Sequence, residues 1–208
     1  MKKISNILLI LIIAQMTARA QPKIDSIKTA LLIVDIQYFY FPDESSPGLY
    51  KAEAASLAAK EVLQLFRDKK QLVVYIRHKS KKGFEIHKNV EPLSTEKVIT
   101  KEEINSFYKT DLLEYLKSNN INRLVIIGMQ TQMCLEGAVR AAHDYGFEVV
   151  VVGDACAAKD MKFGDKIVKA EDVHYSTLAT INDGGYGKVI DLKIFKENTD
   201  KYLFQKLK

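Results

Sequence analysis

Four short apolar runs constrain this chain more than any other feature. They are Thr29-Ala30-Leu31-Leu32-Ile33-Val34, ended by Asp35, then Leu72 to Ile76, then Leu124 to Ile127, closed by Gly128, and Val149 to Val152, closed by Gly153-Asp154. Each is rich in β-branched residues and lacks the polar alternation of a half-exposed strand. Runs of this kind need cover on both faces, which a parallel sheet between helical layers supplies. Lys97-Val98-Ile99 and Val189-Ile190 read as shorter strands. Helical patterns lie between them: Ala52 to Phe66, Thr110 to Leu116 behind a Thr cap, the Ala-rich Met133 to Tyr145 stopped by Gly146, and Ala170 to Asn182 stopped by Gly184-Gly185. This alternation predicts an α/β fold: one domain, a three-layer α/β/α Rossmann-like sandwich with a mostly parallel central sheet.

The N-terminus reads as an address rather than as part of that fold. Lys2 and Lys3 precede the apolar run Ile7 to Ala14, which is too short to span a bilayer, and Ala18-Arg19-Ala20 supplies small residues at a cleavage site. The expectation is a signal peptide over residues 1–20, a mature domain over 21–208, a secreted or periplasmic location and no membrane association after cleavage; an uncleaved anchor is the alternative. Loss of Lys2, Lys3 and Arg19 leaves 28 basic against 26 acidic residues, a net charge of +2 in place of +5. So small a balance argues against nucleic acid as a partner. Two cysteines are too few for a disulfide scaffold or a four-cysteine zinc site.

Ligands of open parallel sheets bind beyond the C-terminal ends of the strands. Asp35 ends the first run, Lys101 follows Val98-Ile99, and Cys134 stands where the third run gives way to a helix. A carboxylate, a cation and a thiol on one edge form a workable set for covalent hydrolysis. Cys134 near a helix N-terminus and beside an ammonium is expected to favour the thiolate, and neighbouring N–H groups would hold an oxyanion. Each residue alone has a plainer reading: a buried small hydrophobe, a turn aspartate and a solvated lysine. The long loops are Phe41 to Gly48 and Lys79 to Pro92, with a charge run at Lys79-Ser80-Lys81-Lys82 that reads as a solvated loop or, alternatively, an anion-binding lid.

Three ordered motifs sharpen the reading. LLIVDIQ carries Asp35 and Gln37; Lys101 is followed by Ser106-Phe107 and Thr110-Asp111-Leu112; and GMQTQMCLEGAVRAAHDYGFEVVVVGDA carries Gly128, Thr131, Cys134, Gly146 and Asp154-Ala155. In these the chain resembles the isochorismatase-like cysteine hydrolase superfamily, which includes nicotinamidases and other amidohydrolases. The resemblance implies Asp35, Lys101 and Cys134 as a catalytic triad. It implies a cis peptide before Gln130, with the backbone N–H groups of Gln130 and Cys134 forming the oxyanion hole. It also places Gln37, Tyr40 and Thr131 around a small-molecule substrate, Tyr40 where relatives have a stacking aromatic; His78, directly after the second strand, is expected to line the same pocket.

The chain departs from the nicotinamidases in lacking an Asp-x-His between the second strand and Lys101. The Asp172-Val173-His174 that does occur lies in a late helix, so neither a catalytic metal nor another cofactor is expected. His87 is expected to fix its loop and His143 to be structural. Cys156 is expected to be a reduced structural thiol, with a disulfide to Cys134 as the alternative. Leu135, Phe39, Phe41 or the Lys79–Pro92 loop would face a partner if the chain forms a homo-oligomer. The function expected is hydrolysis of a C–N bond in a small amide or ureide through a thioester. The rivals are vinyl-ether hydrolysis of the isochorismatase type and a non-catalytic binding or redox protein.

Overall fold

The structure, a computed structural model, describes residues 27–207, so the expected signal peptide lies outside the described residues. In chain order the elements are β1 (Thr29–Val34), α1 (Ala52–Asp68), β2 (Leu72–His78), β3 (Lys97–Lys101), α2 (Leu112–Ser118), β4 (Arg123–Met129), α3 (Glu136–Asp144), β5 (Glu148–Ala157), β6 (Met161–Phe163), β7 (Lys166–Val168), α4 (Ala170–Asp183), β8 (Lys188–Ile190), α5 (Leu192–Glu197) and α6 (Thr199–Phe204). Six strands form one sheet in the order β3-β2-β1-β4-β5-β8, and every pairing in it is parallel. The strand order reverses between β1 and β4, the position where open α/β sheets place a ligand crevice.

The doubly apolar runs have the expected consequence. Along β1, Leu31 and Ile33 enter a core with α1, α5 and α6, where Val62, Phe66, Phe195 and Leu203 are buried. Ala30, Leu32 and Val34 enter the opposite core with α2, α3 and α4, among Leu112, Leu116, Val139 and Ile181. Burial of each large aliphatic or aromatic side chain contributes about 1.5–3 kcal/mol. Arg123, fully buried at the head of β4, donates to Glu148 on β5 and to the carbonyls of Tyr202 and Gln205, which pins the C-terminal helices to the sheet.

Two glycines matter to the site. At Gly128, φ is +136° and an added Cβ would overlap the Val34 carbonyl oxygen, so only glycine lets β4 come this close to β1. At Gly83, φ is +62° and the chain lies against the backbone of Phe39. There Gly83 and Glu85 carbonyls accept from Phe39 and Tyr38, so the long 79–92 loop is a strap laid over the segment after β1. Its charge run behaves as a solvated loop: Lys79 pairs with Glu102 and Lys82 with Asp43, all at the surface.

Candidate active site

The site is built where β1, β3 and β4 end. Asp35 directly follows β1 in the left-handed region at φ 51°, and its N–H donates to the Ile76 carbonyl on β2. A non-glycine residue there costs about 1–2 kcal/mol, a conformation that aspartate tolerates better than most. Lys101 is the last residue of β3. Cys134 lies in the π-helical turn Thr131–Leu135 that leads into α3 and follows the cis peptide Met129–Gln130. The amides of Met133 and Leu135 both donate to the Gln130 carbonyl, which closes the turn.

Lys101 organises the three strand ends. Its Nζ is 2.8 Å from Asp35 Oδ2, 3.2 Å from Cys134 Sγ and 3.2 Å from His78 Nδ1. The contacts to His78 and Cys134 have hydrogen-bond geometry, whereas Asp35 is held as an ion pair and neither of its carboxylate oxygens accepts a hydrogen bond among the described residues. The Asp35 and Lys101 side chains are completely buried, so each charge depends on the other to offset its desolvation. An oxygen of Asp35, a ring nitrogen of His78 and Cys134 Sγ lie within 4.8 Å of one another, a donor set of the kind that binds metal ions. The Lys101 ammonium contacts all three.

Burial dominates the electrostatics. It raises Asp35 above the ordinary carboxyl range, against the opposing pull of Lys101. It pushes the Cys134 thiol up to about 12, reinforced by the Asp35 charge and only partly opposed by Lys101. The expected stabilised thiolate is therefore corrected: helix terminus and ammonium are both present, but burial and a neighbouring carboxylate outweigh them. The resting site holds a neutral thiol beside a carboxylate whose basicity is increased.

The other sequence-derived residues divide. Tyr40 reaches the site: it lies beside Cys134, Asp35 and the Gln130 side chain, and burial, with the Asp35 charge adding to it, raises its phenol above the ordinary range. Gln37, expected at the substrate, is committed to the backbone instead. It is fully buried, its Nε2 donates to the His78 and Phe84 carbonyls, and its Oε1 accepts from the His78 N–H, so its amide braces β1, β2 and the strap. His78 is committed to Lys101 through Nδ1. Thr131 is buried, with its hydroxyl 3.0 Å from His174 Nδ1. His174 was legible in the sequence only as part of a displaced Asp-x-His, and nothing there connects it to the turn.

His87 stacks on Phe41 with centroids 3.7 Å apart, in keeping with a loop-fixing role. His143 packs edge-on against Tyr186. Cys156 is a free buried thiol whose Sγ donates to the Val152 carbonyl, and burial pushes it too up to about 12. Leu135 and Phe41 are buried in the chain's own core, which overturns the expectation that they face a partner.

Comparison with known proteins agrees with this architecture. The isochorismatase domain profile matches residues 29–180. The isochorismatase family protein YddQ of Bacillus subtilis is 38% identical over 178 residues, 80% of this chain and 98% of that protein. The ureidoacrylate amidohydrolase RutB of Acinetobacter baylyi is 28% identical over 122 residues, 59% of this chain and 46% of that protein. Among solved structures, an isochorismatase hydrolase from Oleispira antarctica superposes with a TM-score of 0.76 at 34% identity, covering 80% of this chain and 95% of that one.

Proposed function

The chain belongs to the isochorismatase family and is a hydrolase, and from that premise we propose that it cleaves a C–N bond of a small amide or ureide through a thioester on Cys134. The observation that carries the reading is the buried Asp35–Lys101–Cys134 cluster, in which a base and a cation both lie against the thiol. The name of the amidohydrolase relative favours the bond type.

In the proposed cycle, Cys134 attacks the carbonyl carbon as its thiol proton passes to Asp35. Proton transfer during attack suits a thiol that is neutral at rest and a carboxylate made more basic by burial. Lys101 holds the sulfur and the Asp35 oxygen in register as negative charge moves between them. The Gln130 and Cys134 amides receive the carbonyl oxygen. Asp35 then gives its proton to the leaving nitrogen, the C–N bond breaks, and ammonia or an amine departs. Water adds to the thioester as Asp35 takes a proton from it. The acid leaves and the thiol regains its proton.

A panel of small amides and ureides tests the reading, with released ammonia or amine as the readout. Turnover by the wild type and none by Cys134→Ala supports it; equal turnover by both, or none by either, contradicts it. We propose export as well, on the strength of residues 1–20. N-terminal sequencing of protein from a secreting host should begin at Gln21, and an intact Met1 would contradict cleavage.

A further inference from the structure

We propose that His174 is a positioning residue that holds the oxyanion side of the nucleophile turn through Thr131. The inference rests on the covalent mechanism above and adds a residue outside the three motifs.

The geometry is specific. His174 lies on α4, 43 residues from Thr131 in sequence, and its Nδ1 is 3.0 Å from Thr131 Oγ1. Thr131 is fully buried and immediately follows Gln130, whose amide is one of the two groups assigned to the oxyanion. The turn is already closed on its carbonyl side, where Met133 and Leu135 donate to the Gln130 oxygen. The Thr131–His174 bond adds a hold from a different helix, so α4 fixes the peptide that must point at the developing charge. A buried hydroxyl without its partner would turn to find another, and the adjoining peptide would follow.

The surroundings keep the ring in a single role. His174 also lines a cavity of about 450 Å³ whose lining includes Lys51, Asp154 and Glu171 and none of the triad. Burial lowers the His174 pKa, with Asp154 and Glu171 opposing and Lys51 assisting. A neutral ring offers Thr131 one defined nitrogen, donor or acceptor according to tautomer. Tyr175 packs edge-on against it at 5.2 Å and limits its rotation.

Two reactions of the same sulfur separate positioning from general structural support. Acylation of Cys134 by 4-nitrophenyl acetate passes through a tetrahedral oxyanion: the S–C bond forms, the thiol proton goes to Asp35, and nitrophenolate leaves. Alkylation by iodoacetamide uses the same thiol and the same base but develops no oxyanion. His174→Leu should slow acylation about 10-fold to 100-fold and leave alkylation unchanged. His174→Asn, whose amide reaches the Nδ1 position, should recover most of the acylation rate. Thr131→Val should reproduce the loss, and adding His174→Leu to it should cost nothing further.

Equal slowing of both reactions, or slowing of neither, overturns the proposal, as does additive loss in the double variant. If His174→Leu does not fold, Thr131→Val and His174→Asn carry the same comparison. A wild type that is alkylated but never acylated refutes the covalent mechanism itself, whereas acylation that ignores position 174 refutes only this inference.

Discussion

Lys101 Nζ donates to Cys134 Sγ across 3.2 Å, tying the last residue of β3 to the turn after β4. The same ammonium is 2.8 Å from Asp35 Oδ2 at the end of β1. Lys101→Met leaves the Asp35 carboxylate buried without its cation, so it should destabilise the fold by about 3–5 kcal/mol. Adding Asp35→Asn removes the stranded charge and should restore much of that loss without restoring turnover. Urea unfolding of the two variants checks both statements. Full stability in Lys101→Met alone would mean that the ion pair does not hold the strand ends.

Cys134 is a neutral thiol at rest, because burial and the Asp35 charge push it up to about 12. Its iodoacetamide labelling at pH 7 should therefore be slower than that of free cysteine, whose pKa is about 8.5, and should still be rising with pH above that value. Rapid labelling near pH 6 would instead show a thiolate held by Lys101.

Cys156 provides a pH prediction away from the chemistry. Its folded pKa is raised to about 12 by burial. An acid raised in the folded state contributes stability fully below its unfolded pKa and loses it as pH rises through the folded value. Between about pH 8.5 and 12 the unfolded thiol ionises while the folded one does not, at a cost of up to about 5 kcal/mol. Cys156→Ala should lose less stability over that window than wild type, as measured by denaturant midpoints. Parallel curves would contradict the buried-thiol account.

Gln37 separates a brace from a substrate contact. Gln37→Ala strands two backbone groups of His78 and the Phe84 carbonyl, and should cost about 3 kcal/mol of stability. A variant of unchanged stability and raised KM would return Gln37 to the substrate pocket.

Gly128 is fixed by contact with β1. Gly128→Ala would drive a methyl group into the Val34 carbonyl at a φ of +136°, and the fold should lose about 1–3 kcal/mol or more. Differential scanning calorimetry should show a clearly lower Tm, and an unchanged Tm would place β4 farther from β1.

The strand runs were legible because burial on both faces leaves a residue-level mark. All six strands of the parallel sheet fall where apolar runs occur, several extending a residue or more past them. The hairpin of β6 and β7 left no such mark, since both strands are exposed throughout. Helices α5 and α6 have six residues each, too few for a periodic pattern, although Phe195 and Leu203 are fully buried. Asp35, Lys101 and Cys134 were legible because each stands at a strand end, and topology brings such ends together. The thiol's high pKa was not, because it depends on burial and on a charge 99 residues away in sequence. The Thr131–His174 bond was hidden for the same reason.

The central claim is that Cys134 becomes acylated with Asp35 as its base. Wild type and Asp35→Asn should be mixed with 4-nitrophenyl acetate, quenched in acid within one turnover, digested and mapped by mass. The account predicts one acetyl group on the Cys134 peptide of the wild type and little or none in Asp35→Asn. Acetylation of Cys156 instead, or equal labelling of Cys134 in both proteins, would contradict it.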